Sequence, residues 1–145
     1  MKRTGHFNTP IANGNYLIAK RHRDLVFTSG MTPRSKGVIV HVGTVDSEDA
    51  IDDYKDAVEL AASNALAAAR TVLTEGEQIA GVLTLTVFIA ANPGFKKHSQ
   101  IADFASDHLL EEIGPGAIGT RAAVGVTSLP GGAVVEIQMT AVIGN

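Results

Sequence analysis

The stretch GTRAAVGVTSLPGGAVVEIQM, residues 119–139, decides the fold of the C-terminal part of the chain. Two runs rich in β-branched and small residues flank a Pro-Gly-Gly turn, which predicts a hairpin of two strands. In an even-length register the apolar faces of both arms coincide, and Arg121 and Glu136 then lie on the same side of the hairpin. On that register Glu136 opposes about Gly125, roughly 13 Å along the strand from Arg121.

The side of this hairpin that carries the two charges is otherwise lined by alanine, glycine and threonine. Small residues around an arginine leave empty volume, which indicates a cleft between or beside the two charges. The alternative is a solvated sheet face with a long, weak ion pair, which would contribute little to stability. The pattern alone leaves both interpretations open because patterning at the level of the fold rarely proves a site.

Residues 16–28, about a hundred positions earlier in the chain, predict a second hairpin, which turns near residues 21–24. A loop over residues 29–37 follows. From Ser47 a capping serine and an acidic first turn predict a long, alanine-rich helix that extends to about Val72. Its small residues recur at helical spacing on one face, so we expect the helix to lie close against a sheet. That face comprises Ala50, Tyr54, Ala57, Ala61, Asn64, Ala65, Ala68 and Val72.

Residues 82–91 partly alternate and are rich in β-branched side chains, which predicts a strand, and residues 92–114 predict a second helix that ends at Gly114. The order β-β-α-β-α-β-β predicts one α+β domain over residues 1–145, with both helices on one face of the sheet. The other face would be bare. Since 45% of this short chain is hydrophobic and its mean hydropathy is +0.14, we expect a homo-oligomer to cover that face.

Charge and composition exclude several classes of function. The net charge is −3 and only 5% of residues are aromatic, so we expect no nucleic-acid partner, and the basic run at residues 20–23 is interpreted as a solvated turn. The absence of cysteine excludes disulfides and thiolate chemistry. The N-terminal residues lack the apolar segment of a secretory signal, and no run reaches membrane-spanning length, so we expect a cytoplasmic protein without a membrane partner.

Three other motifs carry no predicted chemistry. GPGAIG at residues 114–119 is spelled like a dinucleotide-binding loop, but it follows a helix and precedes a strand, so it is interpreted as a connecting segment. Ser29 and Ser128 lack the surroundings of a serine nucleophile. The histidines show no ligand spacing, so we expect no metal site. They are His6, His22, His41, His98 and His108.

The C-terminal stretch TRAAVGVTSLPGGAVVEIQM resembles the signature of the Rid family, the reactive intermediate/imine deaminases, also called YjgF or L-PSP proteins. The resemblance covers nearly the whole chain. It includes GNYLIAKRHRDLVFTSGM at residues 14–31, the asparagine of ASNALAAA, VFIA in the third strand and ASDHLLEEIG in the second helix. The second-helix region and RAAVGVTSLP are closer to a side branch of the family than to its best-known deaminases.

This resemblance implies a chorismate-mutase-like α+β domain that assembles as a homotrimer, with sites in the clefts between subunits. It implies hydrolytic deamination of reactive 2-enamine or 2-imine acids to 2-keto acids and ammonia, with no metal or organic cofactor. The partner would be a small imine, enamine or keto acid that bears a carboxylate. Two alternatives stay open: a non-catalytic trimer that binds keto acids and regulates a partner, and an endoribonuclease.

The family's functional residues map onto this sequence by the same resemblance. Arg121 matches the arginine that grips the substrate carboxylate, and a guanidinium suits that role because it binds carboxylate through two parallel hydrogen bonds. Glu136 matches the glutamate that positions water and moves protons. Tyr16 and Ser29 match residues that line the cleft, and Gly30 supplies backbone beside them.

The sequence departs from the family pattern at several of these positions. Ala123 replaces a common cysteine and would act through its backbone N–H. Asp103 stands where an asparagine is usual, so we expect an acid there to repel a substrate carboxylate. Ala122 and Met31 replace a common serine and a usual glutamine. These departures affect the identity of the substrate more than the type of reaction, and favour a larger imine acid.

Overall fold

This computed structural model describes residues 9–145, in which five strands form one sheet and two helices pack on it. The strands are β1 (Ala19–His22), β2 (Leu25–Thr28), β3 (Arg34–Ser35), β4 (Val38–Ile39), β5 (Gln78–Ala90), β6 (Thr120–Val126) and β7 (Val135–Gly144), and the helices are α1 (Lys55–Arg70) and α2 (His98–Ile113). β3 and β4 form a separate two-stranded sheet. Residues 1–8 lie outside the described residues. They include His6 and the start of the N-terminal stretch, for which we expect no secretory signal.

The long strand β5 organises the main sheet, whose strand order is β1-β2-β7-β5-β6. One face of β5 is lined by Leu85, Val87 and Ile89, which are buried beneath the helices. The alternation of buried and less buried residues follows from the two-residue period of a strand. Both helices lie on this face, which confirms the predicted α+β architecture.

The predicted C-terminal hairpin is wrong, because β6 and β7 do not pair with each other. β5 lies between them, parallel to β6 and antiparallel to β7. The turn at residues 130–132 is held by an earlier segment: the N–H of Gly43 bonds to the carbonyl of Gly132 (2.9 Å), and Val42 bridges to Ala133. Helix α2 provides the long crossover that the parallel pair β5–β6 requires.

Helix α1 starts later than the sequence predicts. Residues 51–54 form a 3-10 turn, and the α-helix begins at Lys55 rather than near Ser47. Asp49 is the cause, because its carboxylate accepts hydrogen bonds from the backbone N–H of Asp46 (2.8 Å) and from the hydroxyl of Tyr54, which holds the preceding residues in a loop. The small-residue face is confirmed, with its central alanines buried against the core, and it lets the helix lie close to the sheet. Those alanines are Ala57, Ala61, Ala65 and Ala68.

Helix α2 ends at Gly114, whose φ of 84° only glycine adopts readily, as predicted. The GPGAIG segment is confirmed as a connection between α2 and β6, with a 3-10 turn at Pro115–Ala117. A Cβ at Gly119 would lie 2.3 Å from the carbonyl oxygen of Val82, so this glycine allows the connection to pass against β5. Close backbone contact, not phosphate binding, explains this glycine.

The N-terminal hairpin β1–β2 is confirmed, with a two-residue turn in which Arg23 has a φ of 55°. The loop predicted over residues 29–37 is wrong in part, since it contains β3 and the turn to β4. Lys36 and Gly37 form that turn with φ values of 53° and 83°. Positive φ at both central residues suits a tight hairpin, whose flanking strands are too short for a strong sequence pattern.

The sheet face opposite the helices carries apolar side chains in the isolated chain. Phe27 is 45% exposed and Val124 is 37% exposed. Both point away from the helices, because their neighbours along the strand, such as Val26, are directed toward the core. No helix within residues 9–145 is long and apolar enough to cross a membrane.

We expect Glu77→Gln to remove part of the acid sensitivity of folding. Arg21 donates two hydrogen bonds to the carboxylate of Glu77 (2.7 and 2.8 Å), and this pairing lowers the pKa of Glu77 to about 2. Since the folded-state pKa is depressed, the stabilisation is complete above the ordinary carboxyl pKa and is lost as the pH falls toward 2. Urea unfolding of both proteins between pH 2 and pH 7 measures this effect. An equal slope of stability against pH in the two proteins would contradict the prediction.

Candidate functional site

The candidate residues form two clusters on opposite faces of the sheet. Arg121 pairs with Leu85 on β5 and therefore points toward the helices, whereas Glu136 pairs with Phe88, three residues farther along, and points the other way. With β5 between their strands, their Cα atoms are roughly 14 Å apart. The prediction that Arg121 and Glu136 share one side, with Glu136 opposite Gly125, is therefore wrong. It assumed that β6 and β7 pair directly.

Helix α2 holds the guanidinium of Arg121 in place. Nη1 donates to Asp103 Oδ1 (2.9 Å) and Ser106 Oγ (3.0 Å), and Nη2 donates to Ser99 Oγ (2.9 Å) and the Ser99 carbonyl (3.3 Å). Four of the five guanidinium N–H groups are thus used within the chain, which leaves Nε–H. The side chain of Arg121 is 20% exposed and that of Asp103 is 59% exposed, so solvent reaches this ion pair.

Two residues of this cluster were missed in the sequence. Ser99 and Ser106 flank Asp103 at i, i+4 and i+7 spacing, a polar stripe on one helix face that could have indicated a shared partner. Asp103 was expected to repel a carboxylate, and here it compensates the charge of Arg121. Ala123 follows two residues later on the same face of β6, where it packs against the core.

Glu136 lies in contrasting surroundings. Its half-buried carboxylate rests directly on Gly30, where a Cβ would lie 1.8 Å from Oε2. Within residues 9–145 this carboxylate has no hydrogen-bond or ion-pair partner, and burial raises the pKa of Glu136. A carboxylate with a raised pKa is a stronger base than an ordinary one, which suits a group that accepts and returns a proton.

Gly30 and Tyr16 also line a cavity of about 320 Å³ beside the N-terminal part of the described chain. The hydroxyl oxygen of Tyr16 accepts the backbone N–H of Asn13 (3.1 Å), which orients the ring. Ser29, in contrast, donates its hydroxyl to the carbonyl of Leu17 (2.6 Å) and its N–H to the carbonyl of Ile18 (2.9 Å). Both bonds tie Ser29 to the backbone of residues 17 and 18, so its polar groups have a structural role beside the cavity.

The structure thus brings Tyr16, Gly30 and Glu136 together and places Arg121, Asp103 and Ala123 in a separate cluster. Among the side chains described, no three of histidine, aspartate or glutamate lie close enough to hold a metal ion. The arrangement therefore offers an isolated carboxylate at one site and a compensated arginine at the other.

Comparison with known proteins shows which fold and family this geometry belongs to. The protein Atu1372 of Agrobacterium tumefaciens is 31% identical, with a TM-score of 0.80 over 90% of this chain and 83% of that one. E. coli TdcF with bound serine is 24% identical, with a TM-score of 0.65 over 97% of this chain and 95% of that one. The protein TCP17 of Trypanosoma cruzi is 29% identical over 121 residues, which are 81% of this chain and 74% of that protein.

These similarities extend over almost the whole chain. The solved structures share the YjgF fold, so the expected chorismate-mutase-like α+β architecture is confirmed. A family model described as Endoribonuclease L-PSP matches residues 7–143 and includes both clusters. The chain belongs to the Endoribonuclease L-PSP family, which confirms the resemblance found in its sequence.

Proposed function

We propose that this protein hydrolyses reactive 2-enamine or 2-imine acids to 2-keto acids and ammonia. The observation that carries the proposal is the carboxylate of Glu136, which lies half-buried and without a partner among residues 9–145, against Gly30, a residue that lines a cavity. Burying a carboxylate without a partner costs folding free energy. Such a group is typical of a functional site, where its role in proton transfer offsets this cost in folding free energy.

In the proposed reaction Glu136 first takes a proton from water as the water oxygen bonds to the carbon of the protonated imine and the C=N electron pair moves to nitrogen. The product of this step is a neutral carbinolamine, in which the former C=N bond is single. Glu136 then returns the proton to the nitrogen and takes the hydroxyl proton as the C–N bond breaks, so that a 2-keto acid forms and ammonia leaves with the remaining proton as ammonium. The raised pKa suits both steps, because an acid–base group works best when its pKa lies near the working pH. E. coli TdcF contains bound serine, and an amino acid of that size supports a small 2-imine acid as the substrate class here.

The proposed role of Arg121 is to orient the substrate carboxylate, and this requires a second subunit. Arg121 lies on β6, an edge strand, while Glu136 points to the opposite sheet face. In a homotrimer, the edge of one subunit can meet the Gly30 side of the next and join the two clusters. The exposed apolar side chains Phe27 and Val124 on the uncovered face support such an assembly. On binding, the substrate carboxylate would replace Asp103 at Nη1 or add to Nε–H.

We expect Arg121→Ala to lower kcat/KM for 2-iminopropionate by about 100-fold or more, because it removes a charge-assisted, two-point contact with the carboxylate. The assay generates the imine with a dehydratase and traps what is left as its semicarbazone, so an active deaminase lowers the trapped amount. The substitution leaves the carboxylate of Asp103 without its ion-pair partner. Because that side chain is 59% exposed, water can solvate it, and Arg121→Ala should still fold.

Arg70→Ala is the matched control. It removes an exposed guanidinium from the C-terminal end of α1, at a residue that belongs to neither cluster, and should leave activity unchanged. An Arg121→Ala protein as active as this control would contradict the assigned role.

We expect Glu136→Gln to lose activity and gain stability at pH 7. Since burial raises the folded-state pKa of Glu136, the wild-type protein loses stability as the pH rises through the ordinary carboxyl range and up to that raised value, and glutamine removes this loss. Deamination should fall by at least about 100-fold, as for loss of an acid–base group. Trapping assays and urea unfolding at pH 4 and pH 7 measure the two effects.

Gly30→Ala probes the same carboxylate without removing it. Its Cβ would displace the flexible end of Glu136, so activity should fall while the fold survives. Full activity in either Glu136→Gln or Gly30→Ala would exclude Glu136 as the acid–base group.

RNA cleavage is the second candidate function, favoured by the description of the matching family. It predicts cleavage of single-stranded RNA that persists through repeated purification and is lost in Glu136→Gln. Tight keto-acid binding without hydrolysis in the trapping assay would instead indicate a non-catalytic regulator.

A further inference from the structure

The cavity beside Gly30 is built from three parts of the chain. Residues 9–16, the segment from Gly30 to Arg34 and the turn at Lys36 and Gly37 all contribute residues to its lining. Asn64 on α1 fixes the second of these parts, because its Nδ2 donates to the carbonyls of Thr32 (3.0 Å) and Arg34 (2.9 Å). A volume of about 320 Å³ is at the lower end of small-molecule sites.

The charge of this cavity is one-sided. Arg34 and Lys36 line it, and its lining contains no aspartate or glutamate. Neither cation forms an ion pair within residues 9–145, where the only two such pairs join Arg21 to Glu77 and Arg121 to Asp103. Two cations without an acid beside them favour an anionic ligand.

The guanidinium of Arg34 is also unusually free for binding. Within residues 9–145 it donates one hydrogen bond, from Nη1 to the carbonyl of Gly37 (2.8 Å), and the other four of its five N–H groups have no partner there. In Arg121, by contrast, four of the five N–H groups are used and one is available. Arg34 can therefore bind a carboxylate through two parallel bonds without first breaking an ion pair.

The cavity also meets the proposed reactive centre. Gly30 lies in its wall and touches Glu136, and Gly30 and Arg34 are four positions apart in the chain, a span of at most about 14 Å between Cα atoms. Arg34 and Lys36 line the same cavity as Gly30. One ligand of modest length can therefore reach from Glu136 to Arg34 and Lys36.

We propose that this cavity is an anion subsite, in which Arg34 and Lys36 bind a second acidic group of the substrate. The inference rests on the proposed function, since it places the reactive carbon at Gly30 and Glu136. It specifies the substrate class as imines of dicarboxylic 2-keto acids, in preference to imines that carry one carboxylate.

Binding of unreactive keto acids tests this proposal without any turnover. Calorimetric titration of the wild-type protein should show 2-oxoglutarate, a dicarboxylate, binding at least about tenfold more tightly than 2-oxobutyrate, as two partly exposed charge contacts allow. Arg34→Gln combined with Lys36→Asn should reduce this preference to about twofold. Asparagine is chosen because it tolerates the positive φ of Lys36, and Lys36→Arg should retain the preference.

Arg70→Gln combined with Lys55→Gln is the control, because it removes the same charge elsewhere and should keep the preference. Equal affinity for the two acids, binding of neither, or loss of preference in this control alone would overturn the subsite. The trapping assay separates the two proposals. A protein that prefers 2-oxoglutarate but deaminates no imine retains the subsite and refutes the reaction. A protein that deaminates 2-iminopropionate without preferring the dicarboxylate retains the reaction and refutes the subsite.

Discussion

The pairing of β5 along both of its edges is the constraint on which the arrangement of this molecule depends. Because β5 accepts β6 on one side and β7 on the other, the two charged residues of the C-terminal stretch are separated by a full strand and point to opposite faces. A single chain therefore cannot bring Arg121 and Glu136 to one small molecule. The proposed function consequently depends on subunit assembly, and the uncovered sheet face is where the chain has apolar surface for it.

The two clusters also differ in how the chain treats their charges. α2 surrounds Arg121 with a carboxylate and two hydroxyls, so that its charge is compensated before any ligand arrives. Glu136 lies against Gly30 without a hydrogen-bond or ion-pair partner among residues 9–145, and burial raises its pKa. Binding an acid at Arg121 must compete with Asp103, whereas the cavity at Arg34 offers a cation without such competition. This contrast supports the proposed preference for a substrate with a second acidic group.

Much of the fold follows from the sequence, and the errors have physical causes. Helical periodicity located the buried alanines of α1, and a glycine correctly marked the end of α2. Partner choice between strands was not recoverable from residues 119–139, since a register argument applies only to strands that pair. The start of α1 was misplaced because the side chain of Asp49 competes for backbone bonds. At the site, Gly30 and Tyr16 were identified through the family resemblance. Arg34 was not identified, because the strands around it have only two residues each and such short strands give no sequence pattern.

The small hairpin β3–β4 stands apart from the main sheet, and its turn at Lys36 and Gly37 carries no core side chain. Lys36 has a φ of 53° and Gly37 a φ of 83°, so only residues that tolerate positive φ replace them without strain, and a change at Lys36 alters the charge of the cavity wall. The charge beside the cavity is therefore set by a small hairpin that lies outside the main sheet. The two proposals assign ligand preference to this hairpin and proton transfer to Glu136 on β7 of the main sheet.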